Sequence, residues 1–140
     1  MSVLILGLVL FLGVHSLSIV NPGWREAVVA RRGEKAWQLA YGLVAILGFA
    51  LIAWGYGLAR AEPVLLYAPP TWLRHLSLLL MVFVFPLLFA AYLPGRIRDA
   101  TRHPMLAGVK LWALAHLLAN GTLADVLLFG SFLVWAVADR

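Results

Sequence analysis

Thr101-Arg102-His103-Pro104-Met105-Leu106-Ala107-Gly108-Val109-Lys110-Leu111-Trp112-Ala113-Leu114-Ala115-His116-Leu117-Leu118-Ala119-Asn120-Gly121 is the stretch whose reading decides the fold. It opens on a guanidinium and an imidazole. Pro104 follows, where a missing N–H costs a first helical turn nothing. An apolar run comes next, broken only by Lys110 and His116. Asn120-Gly121 ends it, since both residues tolerate the left-handed backbone of a helix stop. The stretch predicts one helix of roughly 15–17 residues, polar at its mouth and again near its far end.

The rest of the chain supplies more helices of the same kind. Its 140 residues are 64% hydrophobic and 12% charged, with a mean hydropathy of +0.94. A water-soluble domain is nearer half apolar and a quarter charged. There is no cysteine, which excludes disulfides, thiolate metal sites, iron–sulfur clusters and cysteine nucleophiles together. The formal charge of +5 does not point to nucleic acid, because the basic residues sit in short clusters between apolar runs, as at a cytoplasmic membrane face. The fold class expected is all-α: a polytopic transmembrane helical bundle, one integral membrane domain over residues 1–140, with the lipid bilayer as its first partner.

Five spans are expected. Ser2 to Val20 is the first, just long enough to cross ~30 Å of hydrocarbon; without a basic start or an A-x-A-like site it reads as a retained span, not a cleaved signal. Asn21-Pro22-Gly23 breaks it, and Arg25, Glu26, Arg31, Arg32, Glu34 and Lys35 fill a first loop. Trp37 to Ala59 and Trp72 to Leu93 follow, the former with aromatics at both ends, the latter with a kink expected at Pro86. Pro94 to Asp99 forms a basic loop before the opening stretch. Thr122 to Ala138 is the last span, joined to the preceding helix by about two residues and therefore antiparallel to it. Loops one and three carry Arg25, Arg31, Arg32, Lys35, Arg96, Arg98 and Arg102, whereas loop two has Arg60 and loop four has none. That bias places the N-terminus outside, the C-terminus at Arg140 in the cytoplasm, and His103 at the cytoplasmic surface.

Ionisable groups within such spans are costly and usually face a bundle interior. Lys110 lies ~9 Å above Pro104, within snorkelling reach of the surface. Asp125, in the first turn of the last helix, suits a cap, and His75 with Arg74 suits the outer interface. His15 and His116 stand apart. His15 shares a helical stripe with Leu8, Phe11 and Ser18; His116 shares one with Gly108, Trp112 and Asn120. A buried neutral imidazole ligates metal or haem iron well, and Asn120 is placed to fix the tautomer of His116. Interhelical hydrogen bonding is the other use of such a pair.

His15-Ser16-Leu17, Arg102-His103-Pro104-Met105, Gly108-Val109-Lys110-Leu111-Trp112-Ala113 and Ala115-His116-Leu117 through Asn120-Gly121 resemble the NnrU family of bacterial membrane proteins, over essentially the whole chain. The resemblance implies an inner-membrane protein linked to denitrification, with components of nitrite and nitric oxide reductases as partners. That family is in turn similar to 15-cis-zeta-carotene isomerase, a membrane haem b enzyme whose two haem-ligating histidines match His15 and His116. That likeness implies haem b as the cofactor, with Arg98 or Arg102 near its propionates, and, as an alternative activity, haem-dependent isomerisation of a hydrophobic polyene such as zeta-carotene. The family usually continues into one more apolar helix, so the sequence reads as a truncated or divergent member. His15 lies about five residues from the cytoplasmic end of its helix and His116 about twelve beyond Pro104, an offset of ~10 Å that one iron would bridge only through tilt or a deep start to the later helix. Arg102-His103-Pro104-x-Leu106-x-Gly108 is also similar to the S-adenosylmethionine motif of integral membrane methyltransferases, with Leu106 in place of their Tyr. A non-enzymatic assembly partner of a reductase completes the expectations.

Overall fold

The structure, a computed structural model, describes residues 1–139 and, at Ser18, the backbone alone; the expected place of Ser18 on the His15 stripe and that of Arg140 fall outside the described residues. Seven helices occur among the described residues: α1 (Ser2–Val20), α2 (Pro22–Arg32), α3 (Glu34–Ala61), α4 (Thr71–Ala90), α5 (Arg96–Thr101), α6 (Pro104–Ala119) and α7 (Leu123–Ala138). They pack as two units, Met1–Glu62 and Pro63–Arg140.

In the first unit α1 and α3 cross with their backbones almost touching. A Cβ on Gly7 would stand 2.5 Å from the Ile52 nitrogen, and one on Gly48 would stand 2.8 Å from the Phe11 nitrogen. At Gly55 it would run into the Leu4 backbone. These pairings, 4 with 55, 7 with 52 and 11 with 48, decrease along one helix as they increase along the other, so the two are antiparallel. Small residues allow this approach, and dispersion between the closely packed surfaces replaces a hydrophobic drive that lipid would not supply. Leu4 is fully buried by it, at 0% exposure.

The charged segment 22–32, expected to be a loop, is instead helix α2. Asn21 accepts a hydrogen bond on its side chain from the Trp24 N–H at 3.0 Å, and Pro22 occupies the first turn. An Asn-Pro pair that breaks one helix is also a cap and first residue for the next. The axis turns by 83° between α1 and α2. Arg25 reaches Glu34 at 2.9 Å across Gly33, whose φ of 85° suits glycine. The basic loop before the central stretch likewise contains a short helix, α5.

In the second unit α4 lies antiparallel to α6. The buried Ser77 hydroxyl donates to the Ala115 carbonyl at 2.6 Å, while Leu88 meets Gly108 near the other end. The helix α4 continues through Pro86. Helices α6 and α7 form the expected antiparallel hairpin, joined by Asn120, Gly121 and Thr122. The stop differs from expectation: Asn120 is extended, with φ −130° and ψ 135°, and Gly121 has no positive φ. Gly121 serves closeness instead, because a Cβ there would collide with the Tyr67 carbonyl. Segment 64–67 lies along the turn, with Leu66 N–H on the Gly121 carbonyl at 2.8 Å and Leu123 N–H on that of Val64 at 2.8 Å. The Tyr67 hydroxyl donates to the Leu117 carbonyl and, at 2.7 Å, to that of Asn120. Asp125 caps as expected: its carboxylate accepts from the Thr122 N–H at 3.0 Å and hydroxyl at 2.6 Å, in a capping box that starts α7.

Large apolar side chains face outward. Leu78, Val82, Phe85 and Phe89 recur on one side of α4 at 59–67% exposure, a stripe that water would penalise and lipid would accept. Helices α3 and α4 are long and apolar enough to cross a membrane, and the bent pair α1–α2 makes up to a third. Helices α6 and α7 are apolar but have 16 residues each, below the ~20 of a full span. By length alone two or three spans therefore stand where five are expected.

Candidate functional site

His15 sits near the end of α1, half-buried. Its Nδ1 lies 2.7 Å from the Phe11 carbonyl, one turn back on the same helix. A carbonyl only accepts, so Nδ1 carries the proton and Nε2 is the nitrogen with the lone pair. Phe11 lies against the imidazole at 4.3 Å between centroids, and Tyr41 of α3 meets it edge-on at 5.4 Å.

His116 repeats the arrangement in the other unit. Its Nδ1 lies 2.9 Å from the Trp112 carbonyl, again four residues back. The ring stacks on Phe129 of α7 at 4.5 Å and contacts Trp112 at 5.2 Å. Asn120 makes no hydrogen bond to the ring: its amide donates instead to the His116 carbonyl at 3.0 Å, at the end of α6. The tautomer is thus set by the helix backbone and not, as expected, by Asn120. Each imidazole, taken in its own unit, has the donor set that haem ligation needs: one nitrogen anchored through its proton, the other carrying the lone pair. Among the described residues no group of three or more His, Asp or Glu is placed to hold a metal ion.

The third place is the mouth of α6. Thr101, Arg102 and His103 make a tight turn in which the His103 N–H meets the Thr101 carbonyl at 2.6 Å. Arg102, its central residue, has φ 58° and ψ −43°, the rarer and strained hand of the three-residue turn. The turn brings His103 to a cavity of about 300 Å³ lined by Thr101, His103, Leu106, Ala107, Lys110 and Asp139. Positions 103, 106, 107 and 110 recur every three or four residues and so share one face of α6. Lys110, which spacing alone reads as snorkelling, is among the residues that line this cavity, as is the carboxylate of Asp139. Asp139 was not singled out from sequence; the signal was there in two hairpin helices of equal length, which return the end of α7 to the start of α6. Arg102 is exposed, and its side chain lies outside the set lining the cavity. Arg98 lines a different one, of about 390 Å³, with Arg96, Phe89 and Leu93. His75 is exposed at the start of α4.

The model of the NnrU protein family matches residues 3–140. The chain belongs to the NnrU family. The match spans both packing units, and it takes in His15, the Arg102-His103-Pro104 turn and His116 alike. No curated protein and no solved structure gives a match. For this NnrU-family chain, then, the three places stand on their own geometry: two backbone-anchored imidazoles among aromatic rings, and one polar cavity at a strained turn.

Proposed function

We propose that the protein is a multi-pass protein of the bacterial inner membrane that binds haem b through the Nε2 atoms of His15 and His116 and acts in nitrogen-oxide reduction, beside components of nitrite and nitric oxide reductases. One observation carries the reading: both histidines use the same device, an Nδ1–H held by the carbonyl four residues back. Carbonyls four residues back also anchor Ser16, Thr101 and Asn120, and on a histidine the same contact leaves Nε2 as the ligating atom. The device fixes the tautomer that a ligand needs and stiffens the ring against rotation. Bis-imidazole haem b supplies one-electron chemistry when bound. Phe11 and Tyr41 pack against the His15 ring, and Trp112 and Phe129 against that of His116. The five spans, with the N-terminus outside and the C-terminus inside, belong to the same reading and rest on the seven basic residues of loops one and three.

The test is an absorption spectrum of the full chain, purified from cells supplied with a haem precursor. A Soret band with low-spin character is expected. His15→Ala or His116→Ala should each give high-spin haem or none, while exposed His75→Ala leaves the spectrum alone. A colourless protein would overturn haem binding and favour an assembly partner of a reductase.

The cavity at the mouth of α6 favours a second reading. Thr101, His103, Lys110 and Asp139 together offer a hydroxyl, an imidazole, an ammonium and a carboxylate, groups that suit the amino-acid end of S-adenosylmethionine at the motif shared with membrane methyltransferases. Titration calorimetry should then detect S-adenosylmethionine binding that His103→Ala removes. No heat of binding to the unmodified chain would dispose of it.

A further inference from the structure

We infer that the notch between α2 and the start of α3 is a binding site for one anionic phospholipid, its phosphate on Arg32 and an acyl chain along Trp24 and Trp37. A cavity of about 390 Å³ lies there, lined by Trp24, Val28, Arg32, Ala36, Trp37 and Ala40. Five of the six are apolar and the sixth is cationic, as a lipid with a charged head and a hydrocarbon tail requires. The 83° turn after α1 sets α2 near the plane of a membrane that α1 enters, the attitude of an interfacial helix. Trp24 and Trp37 meet edge to face at 5.6 Å; tryptophan is the residue that settles at headgroup depth.

Charge selects the class of lipid. Segment 22–38 contains Arg25, Arg31, Arg32 and Lys35 against Glu26 and Glu34, a net +2. Glu34 is engaged by Arg25 at 2.9 Å and by Gln38 at 3.3 Å. Arg32 ends α2 with no carboxylate against it among the described residues, so its guanidinium is available to a phosphate, which its planar fork fits in a bidentate manner. A zwitterionic lipid carries its own cation and gains less.

The experiment titrates the full chain in detergent with dioleoyl phosphatidylglycerol or dioleoyl phosphatidylcholine and counts retained lipids by native mass spectrometry. Phosphatidylglycerol should be retained about five-fold more tightly, the scale of one cationic side chain beside an anionic headgroup. Arg32→Gln should remove that preference, and Arg31→Gln, one residue along but outside the cavity, should keep it. Both are exposed positions, so helicity should not change. Acyl chains brominated near the headgroup should quench fluorescence more in the unmodified chain than in Trp24→Phe. Equal retention of the two lipids, an Arg31→Gln variant as impaired as Arg32→Gln, or quenching indifferent to Trp24 would each overturn the site.

Discussion

Tyr67 shows how much one side chain can organise. Its hydroxyl serves the carbonyls of Leu117 and Asn120 at the unsatisfied end of α6, where no helical N–H remains to pair them. Burial, and secondly the charge of Asp125, push its pKa above the ordinary 10.0. The folded state therefore favours the neutral phenol. That contribution is complete below pH 10 and is lost as pH climbs through the raised value. Tyr67→Phe should cost about 1 kcal/mol at pH 8 and should flatten the fall in melting temperature expected of the unmodified protein above pH 10; equal alkaline slopes in the two proteins would count against it. Residues of this kind were hard to read in advance. Nothing in the sequence pairs Tyr67 with positions fifty apart, and the same holds for Ser77 and Ala115. His15 and His116 were legible as candidates because charge-capable side chains stand out in apolar runs. Their anchoring on Phe11 and Trp112 needed coordinates, since a polar neighbour such as Asn120 looked like the more natural partner.

At the scale of elements, the legible features were those with a local chemical cause. Pro104 began α6 as expected, Asn120 ended it in an extended and not a left-handed backbone, and Thr122 with Asp125 began α7. The hidden element was α2. Its charges read as a solvated loop, and the Asn21-Pro22 pair reads as a break because a cap and a break use the same residues. Glycines were under-read too, for composition does not say which of the 12 meet another backbone. The α1–α3 crossing depends on three of them. Gly55→Val sets two methyl groups against the Leu4 backbone, where no flexible side chain can yield. It should cost about 1–3 kcal/mol or more and lower the melting temperature in detergent, whereas Gly13→Val, with open space around it, should be close to neutral. A Gly55→Val variant as stable as Gly13→Val would mean that the helices can part without loss.

The whole molecule was legible in class and in family, because both are written over the full length of the chain. Hydropathy is a sum, and the family match runs from residue 3 to 140. Span number was not, since it turns on a few residues at each helix end. Orientation remains an electrostatic inference with a direct check. A reporter domain that works only in the cytoplasm, joined after Arg140, should be active, and one inserted after Ala68 should be silent. The opposite pattern would reverse the topology and put the mouth of α6 on the outer face.

Helices α6 and α7, at 16 residues each, rise only ~24 Å. A hydrocarbon slab of ~30 Å cannot meet such a hairpin at both ends without thinning. If the hairpin crosses the membrane, as the five-span reading proposes, the bilayer beside it dimples and brings headgroups and water inward along α6. Lys110, between one and two turns in from Pro104, would then stand in wetter surroundings at a smaller solvation penalty. The same ammonium would be more expensive on helices that matched the membrane, so a short hairpin would lower the cost of a cation at that position.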